Sequence, residues 1–277
     1  MGDGEVSGKA RMPDDPAYEV YAVKYARHER RAGANFLGGD PHDAPMPIDY
    51  FVWAIIGGGK TYVLDTGFDA EQGRKRKREH IRSPGDGLKQ LGIDPGAVED
   101  VFISHMHYDH AGNHHLFPNA VFHLQDKEMQ YCTGRSMRHG ALRGSFEAED
   151  VAAMVRRLFA GRLRFHDGAE EVAPGLSVHL VGGHTLGLQS LRVRTRRGWL
   201  VLAADAAHLY ANIEQQRPYV TVCDVARMME GHRLLERLAS SPAHIIPGHD
   251  PLVMARYPAP RPELEGIAVR LDADPLS

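Results

Sequence analysis

The chain has 277 residues, enough for one large domain with a substantial core. Apolar residues make up 43% and charged residues 25%, which excludes wholesale disorder and a fibrous repeat. Lys and Arg number 33 against 36 Asp and Glu, so there is no basic excess for nucleic-acid binding; two cysteines, Cys132 and Cys223, exclude a disulfide scaffold and a Cys-rich metal site.

Residues 1–17 hold no apolar segment of secretory type and read as a flexible tail. No apolar run approaches the roughly 18 residues of a spanning helix. The expected compartment is the cytoplasm, with no membrane partner.

Residues 18–25 and 49–56 read as strands, and Gly57-Gly58-Gly59 turns the second into a hairpin partner, Lys60–Leu64. Asp65-Thr66-Gly67 then breaks the strand. Residues 69–84 are polar, and the basic run Arg74-Lys75-Arg76-Lys77-Arg78 reads as a solvated loop or helix face. Residues 86–91 suggest a short helix stopped at Gly92, and 100–104 a buried strand running into His105. A strand over 120–124 and a helix over 125–131 follow. Residues 146–159 carry apolar residues at helical spacing, including Val151, Met154, Val155 and Leu158. Strands are expected at 163–166, 176–181, 190–194 and 199–203. Asp224 is placed to cap a helix running to about Leu238, with Val225, Met228, Met229, Leu234, Leu235 and Leu238 towards the core. A last strand, 243–246, leads to Pro247-Gly248-His249. Strands with interspersed helices, twice over, fit a layered α/β sandwich; periodicity alone also allows a doubly wound sheet.

The densest chemistry is His105-Met106-His107-Tyr108-Asp109-His110. These ligand types cannot all face one way on a regular helix or strand, but a loop at a strand end can wind them around an ion. Imidazole and carboxylate without thiolate favour zinc, with iron, manganese or cobalt as alternatives. Four ligands on one ion leave no open position, so a set shared between two metals with distant ligands is more productive. His184, Asp205 and His249 each follow an apolar strand, and glycine stands beside His184 and His249 where backbone must come close.

The pattern His-x-His-x-Asp-His, followed by His184, Asp205 and His249, resembles the metallo-β-lactamase superfamily, as do Leu64-Asp65-Thr66-Gly67 and Gly183-His184-Thr185. Within it the chain looks most like the N-acyl-homoserine lactonases, dinuclear zinc hydrolases. The resemblance implies an αββα sandwich as one domain over 18–277. It implies a first metal on His105, His107 and His184, a second on Asp109, His110 and His249, Asp205 between them, and Asp65 orienting a ligand by hydrogen bond.

The chemistry implied is opening of a lactone ring by a metal-bridging hydroxide, with Asp109 or Asp205 moving the proton. Where those lactonases carry a substrate-contacting Tyr, this chain has His208, with Tyr210 two positions on, so His208 is expected to contact the substrate and Tyr210 to pack in the core. Tyr108 is expected to line the pocket, Met106 to face the core, and His114 and His115 to lie in an exposed loop. Phe36, Met46 and Tyr50 are candidates to wall the pocket, and Arg217, Pro218 and Tyr219 to cover it. The expected partner is a small lactone or ester, with a homodimer allowed. Two readings compete: thioester cleavage of the glyoxalase II type, disfavoured by the short Pro-rich segment after His249, and a metal-stabilised binding protein without turnover.

Overall fold

The computed structural model describes residues 17–276, so the tail expected over 1–17 lies outside the described residues except for Ala17. The strands in chain order are β1 (Glu19–His28), β2 (Ile48–Gly57), β3 (Lys60–Leu64), β4 (Glu79–His80), β5 (Asp100–Phe102), β6 (Val121–Gln125) and β7 (Leu163–His166). They continue as β8 (Ala169–Ala173), β9 (Leu176–Leu180), β10 (Gln189–Thr195), β11 (Gly198–Ala204), β12 (Ile245–Pro247) and β13 (Ala268–Arg270).

The first sheet runs β13-β1-β2-β3-β5-β6-β7, with β4 paired to β1, and the second runs β12-β11-β10-β9-β8. Strands β3, β5, β6 and β7 are mutually parallel, and β12 is parallel to β11.

Side-chain alternation explains the layers. On β2, Phe51, Trp53 and Ile55 point between the sheets, where they meet Leu176, Val178, Leu191, Val193, Leu200 and Leu202. Their neighbours Val52 and Ala54 point the other way, into a core shared with Leu88 and Met154 from helices. On the far side of the second sheet, Val201 and Ala203 pack with Leu235 of the Val225–Leu238 helix. Both faces of both sheets are therefore apolar, and the architecture is the αββα sandwich. Each large side chain so buried contributes about 1.5–3 kcal/mol. No helix among the described residues is long and apolar enough to cross a membrane.

Three local expectations need correcting. Val225, expected towards the core, is exposed at 43%. Val225 is the first residue of its helix, and at the end of the Ala148–Phe159 helix the buried Arg157 lays its guanidinium over Phe122. The basic run is not wholly solvated: the Ala70–Arg76 helix, capped by the Asp69 carboxylate, turns Arg76 onto the Tyr108 ring and ion-pairs it with Glu147. Strands β8 and β13 have no counterpart in the pattern reading, because one is a half-exposed edge and the other spans three residues.

Candidate metal centre

Strand ends deliver the polar residues to one rim. Asp65 follows β3, the His105–His110 motif follows β5, His184 follows β9, Asp205 follows β11 and His249 follows β12. Two close backbone approaches shape this rim. A Cβ at Gly183, where φ is +92°, would sit 2.5 Å from the Met228 backbone, and one at Gly248 would sit 2.7 Å from the Ala204 carbonyl. Asp65 and Ala204 themselves occupy the left-handed region, at φ 63° and 47°, a strained conformation for residues with a side chain.

The seven expected ligands all meet, and all are nine-tenths or more buried. Ligand atoms of His105, His107, His184 and Asp205 lie within 4.8 Å of one another, and so do those of Asp109, His110 and His249. Asp205 divides its carboxylate between the two groups. Its Oδ2 is 3.1 Å from His184 Nε2 and 3.7 Å from His105 Nε2, while its Oδ1 is 2.9 Å from His249 Nε2 and 3.2 Å from His110 Nε2.

Four of the five ligand histidines are held at the outer ring nitrogen. His110 Nδ1 pairs with Asp65 Oδ2 at 2.7 Å, and Asp65 accepts in turn from Ser104 N and Oγ. His105 Nδ1 meets Ser104 Oγ at 3.1 Å. His184 Nδ1 donates to the Thr221 carbonyl at 2.6 Å, and His249 Nδ1 to the Asp49 carbonyl at 2.9 Å. With these four rings anchored at Nδ1, their Nε2 lone pairs are left for a ligand; His107 instead turns Nδ1 inward, 3.0 Å from His184 Nε2.

Electrostatics agree with a cation site. Burial, followed by neighbouring histidines, pushes His105 and His107 well below the usual imidazole range, so both are neutral donors. Burial acts the same way on His110, yet Asp205 and Asp65 outweigh it and pull that ring upward; His249 is raised against burial by Asp205. Asp205, opposed by burial, is held well below the carboxylate range by His208, His110 and His249. The carboxylates thus demand positive charge between them. His105 Nε2, His110 Nε2 and Asp205 Oδ1 are buried without hydrogen-bond partners, which is costly unless an ion satisfies them. The residues fit divalent metal ions.

His208 joins the ring, its Nε2 3.0 Å from Asp205 Oδ2 and its imidazole stacked on Tyr219 at 3.4 Å. Burial drives it down to about 3, and its Nδ1 has no partner. Tyr108, Tyr50 and Tyr219 line the cleft; Met106 is fully buried and Tyr210 packs in the inter-sheet core. Phe36 lies beneath the Arg217 guanidinium and Met46 against the core, away from the cleft lining. His115 is exposed and His114 half-buried.

Glu128 was not singled out in the sequence. Fully buried on the Asp126–Cys132 helix, it accepts from Met106 N at 2.9 Å, Thr185 Oγ1 at 2.6 Å and Gly187 N at 3.1 Å, tying the motif loop to the His184 loop. A charged residue beside Asp126 and Lys127 carries no pattern that distinguishes it from a surface one.

The profile of the metallo-beta-lactamase superfamily matches residues 47–249, which takes in every ligand position. The chain belongs to that superfamily. Among curated relatives, the N-acyl homoserine lactonase of Bacillus thuringiensis is 26% identical over 164 residues, 59% of this chain. The chain spans 60% of the length of that relative. A solved quorum-quenching N-acyl homoserine lactone lactonase superposes with a TM-score of 0.70 at 21% identity, over 86% of this chain and 95% of that one. The dizinc quorum-quenching lactonase AidC, solved with a product, superposes with a TM-score of 0.66 at 17% identity, over 86% and 89%. At such identities the superpositions establish the shared fold.

Proposed function

We propose that the protein is a dinuclear metal-dependent hydrolase that opens a lactone ring, an N-acyl-homoserine lactone or a related one. The observation that carries this is the division of Asp205, one oxygen towards each of two buried histidine groups. His105, His107 and His184 would hold one ion, Asp109, His110 and His249 the other, and Asp205 both. Nitrogen and oxygen donors without thiolate suit zinc.

The chemistry that divalent ions would supply there is a water deprotonated near neutral pH and a polarised carbonyl oxygen. The rest falls to the chain. The tyrosines and His208 wall the cleft, and the His208 imidazole is the group expected to contact the substrate. The water oxygen joins the carbonyl carbon, the ring C–O bond breaks, and Asp109 carries the water's proton to the departing ring oxygen, giving a hydroxy acid.

Metal analysis with a panel of lactones and thioesters in a pH-indicator assay tests this. Two ions per chain and lactone turnover abolished by chelation are expected. Turnover of thioesters alone would move the assignment to that class, and a metal-replete protein inert towards the whole panel would leave a binding role.

A further inference from the structure

We infer that the substrate carries an anionic group beside its scissile ring, which Arg30 and Arg78 receive at the mouth of the metal centre. The inference rests on the lactonase reading and narrows its substrate class to compact lactones bearing a carboxylate.

The cleft over the cluster has a volume of about 70 Å³, and among the described residues that line it only Ile48 is aliphatic. Drug-sized ligands occupy roughly 300 Å³ or more, largely apolar. A long alkyl chain finds little matching surface here. Arg30 and Arg78 line the same cleft as Asp205, His208 and His249.

Neither guanidinium has a carboxylate partner among the described residues. Arg30 donates through Nε to Asn35 Oδ1 at 2.7 Å and through Nη2 to the Ala34 carbonyl. Arg78 donates through Nε to Tyr108 Oη at 3.3 Å and through Nη1 to the Arg76 carbonyl at 2.6 Å. Some arginines pair with a carboxylate, Arg76 with Glu147, Arg217 with Asp40 and Arg270 with Asp272, while others such as Arg82 and Arg192 rest on carbonyls away from this cleft. The nearby carboxylate of Asp109 belongs to the ligand set. Both charges reach His28, which burial first and then Arg78 and Arg30 drive down to about 4, so the field at this rim is positive. Five fixed donors on a planar fork match a carboxylate better than they match an amide or an alkyl chain. Arg78 is also fixed in place, half-buried between neutral phenol and carbonyl oxygens that orient it without cancelling its charge.

The test uses the full-length, metal-loaded protein with 5-oxotetrahydrofuran-2-carboxylate and its carboxamide, two lactones of one size and shape. The carboxylate is expected to be preferred by about 10- to 100-fold in kcat/KM, the value of a charge-assisted contact. That preference should shrink with added salt and fall towards unity in Arg30→Gln and Arg78→Gln. Arg30→Gln serves as the reading should Arg78→Gln fail to fold. Equal turnover of the two lactones by the wild type, or a preference surviving both substitutions, overturns the inference. If neither lactone is turned over, the lactonase reading fails separately. Calorimetric binding of 2-hydroxyglutarate against 4-hydroxybutyrate then decides the arginine claim alone: about tenfold tighter binding of the dicarboxylate, lost in the variants, upholds it, and equal binding sinks it.

Discussion

Asp205 and Asp150 are both aspartates buried to nine-tenths, and their surroundings push them in opposite directions. Around Asp205 stand His208, His110, His249 and His184, and it is held well below the carboxylate range despite its burial. Around Asp150, on the Ala148–Phe159 helix, burial comes first and then the Glu147 and Asp69 carboxylates, with Arg76 opposing, and its carboxyl is pushed up to about 7. A nearby cavity of about 200 Å³ is lined by Asp150, Asp69, Glu147 and Lys75. Burial alone therefore does not make a metal site. What separates the two regions is a set of imidazole nitrogens anchored from behind, which one has and the other lacks.

The sharpest way to break this contrast is Asp205→Asn. The amide keeps the shape but loses the charge and one acceptor oxygen. Lactone kcat/KM is expected to fall by about 10²- to 10³-fold, the scale of losing one preorganised electrostatic contact, with fewer than two ions retained per chain. Full turnover with two ions bound would show that the division of its carboxylate is not what assembles the site.

Asp150→Asn examines the other half. A carboxylic acid whose folded value is raised from 3.8 to about 7 costs nothing below about pH 4, where both states are protonated. The cost grows between about pH 4 and 7 and is constant above, on the order of 4 kcal/mol from about 1.4 kcal/mol per unit. The variant should therefore gain stability over the wild type as pH rises through that window. Urea denaturation at pH 5 and pH 8 checks it: a variant-minus-wild-type difference that is the same at both pH values would mean that Asp150 is ionised without penalty.

Asp65→Asn should have a smaller effect, since it changes only the partner of a ligand. Asp65 accepts from Ser104 twice and holds His110 Nδ1 at 2.7 Å. Loss of such a partner typically costs 10- to 100-fold in metal affinity, about 1.4–2.7 kcal/mol. Competition with a chromogenic chelator measures it; unchanged affinity would mean that packing alone orients His110.

The ligand positions were legible because an apolar strand that ends in one polar residue has few alternatives, and His184, Asp205 and His249 all have that form. The layers were legible from period-two alternation on strands such as β2. What pattern could not carry was any partner made by folding distant segments together. The Thr221 and Asp49 carbonyls that anchor His184 and His249 are backbone atoms with no residue-type signature. Glu128 and Arg78 sit in charged stretches, and only tertiary packing turns them inward.

The smallest expected effect lies on the same helix as Asp150 and concerns a position whose burial helical period alone leaves open. Val151, Met154, Val155 and Leu158 share one helical face, yet Met154 is fully buried while Leu158 is 37% exposed. The reason is Arg157. Its stem fills the inner position, its guanidinium lies 4.5 Å from the Phe122 ring centre, and its Nη2 donates to the His114 carbonyl at 3.1 Å. Leu158→Ser therefore removes a side chain that already meets water, and its cost should stay below about 1 kcal/mol, within the range of surface substitutions. Thermal unfolding decides it. A loss of 2 kcal/mol or more would return Leu158 to the core and displace Arg157 from the contact described here.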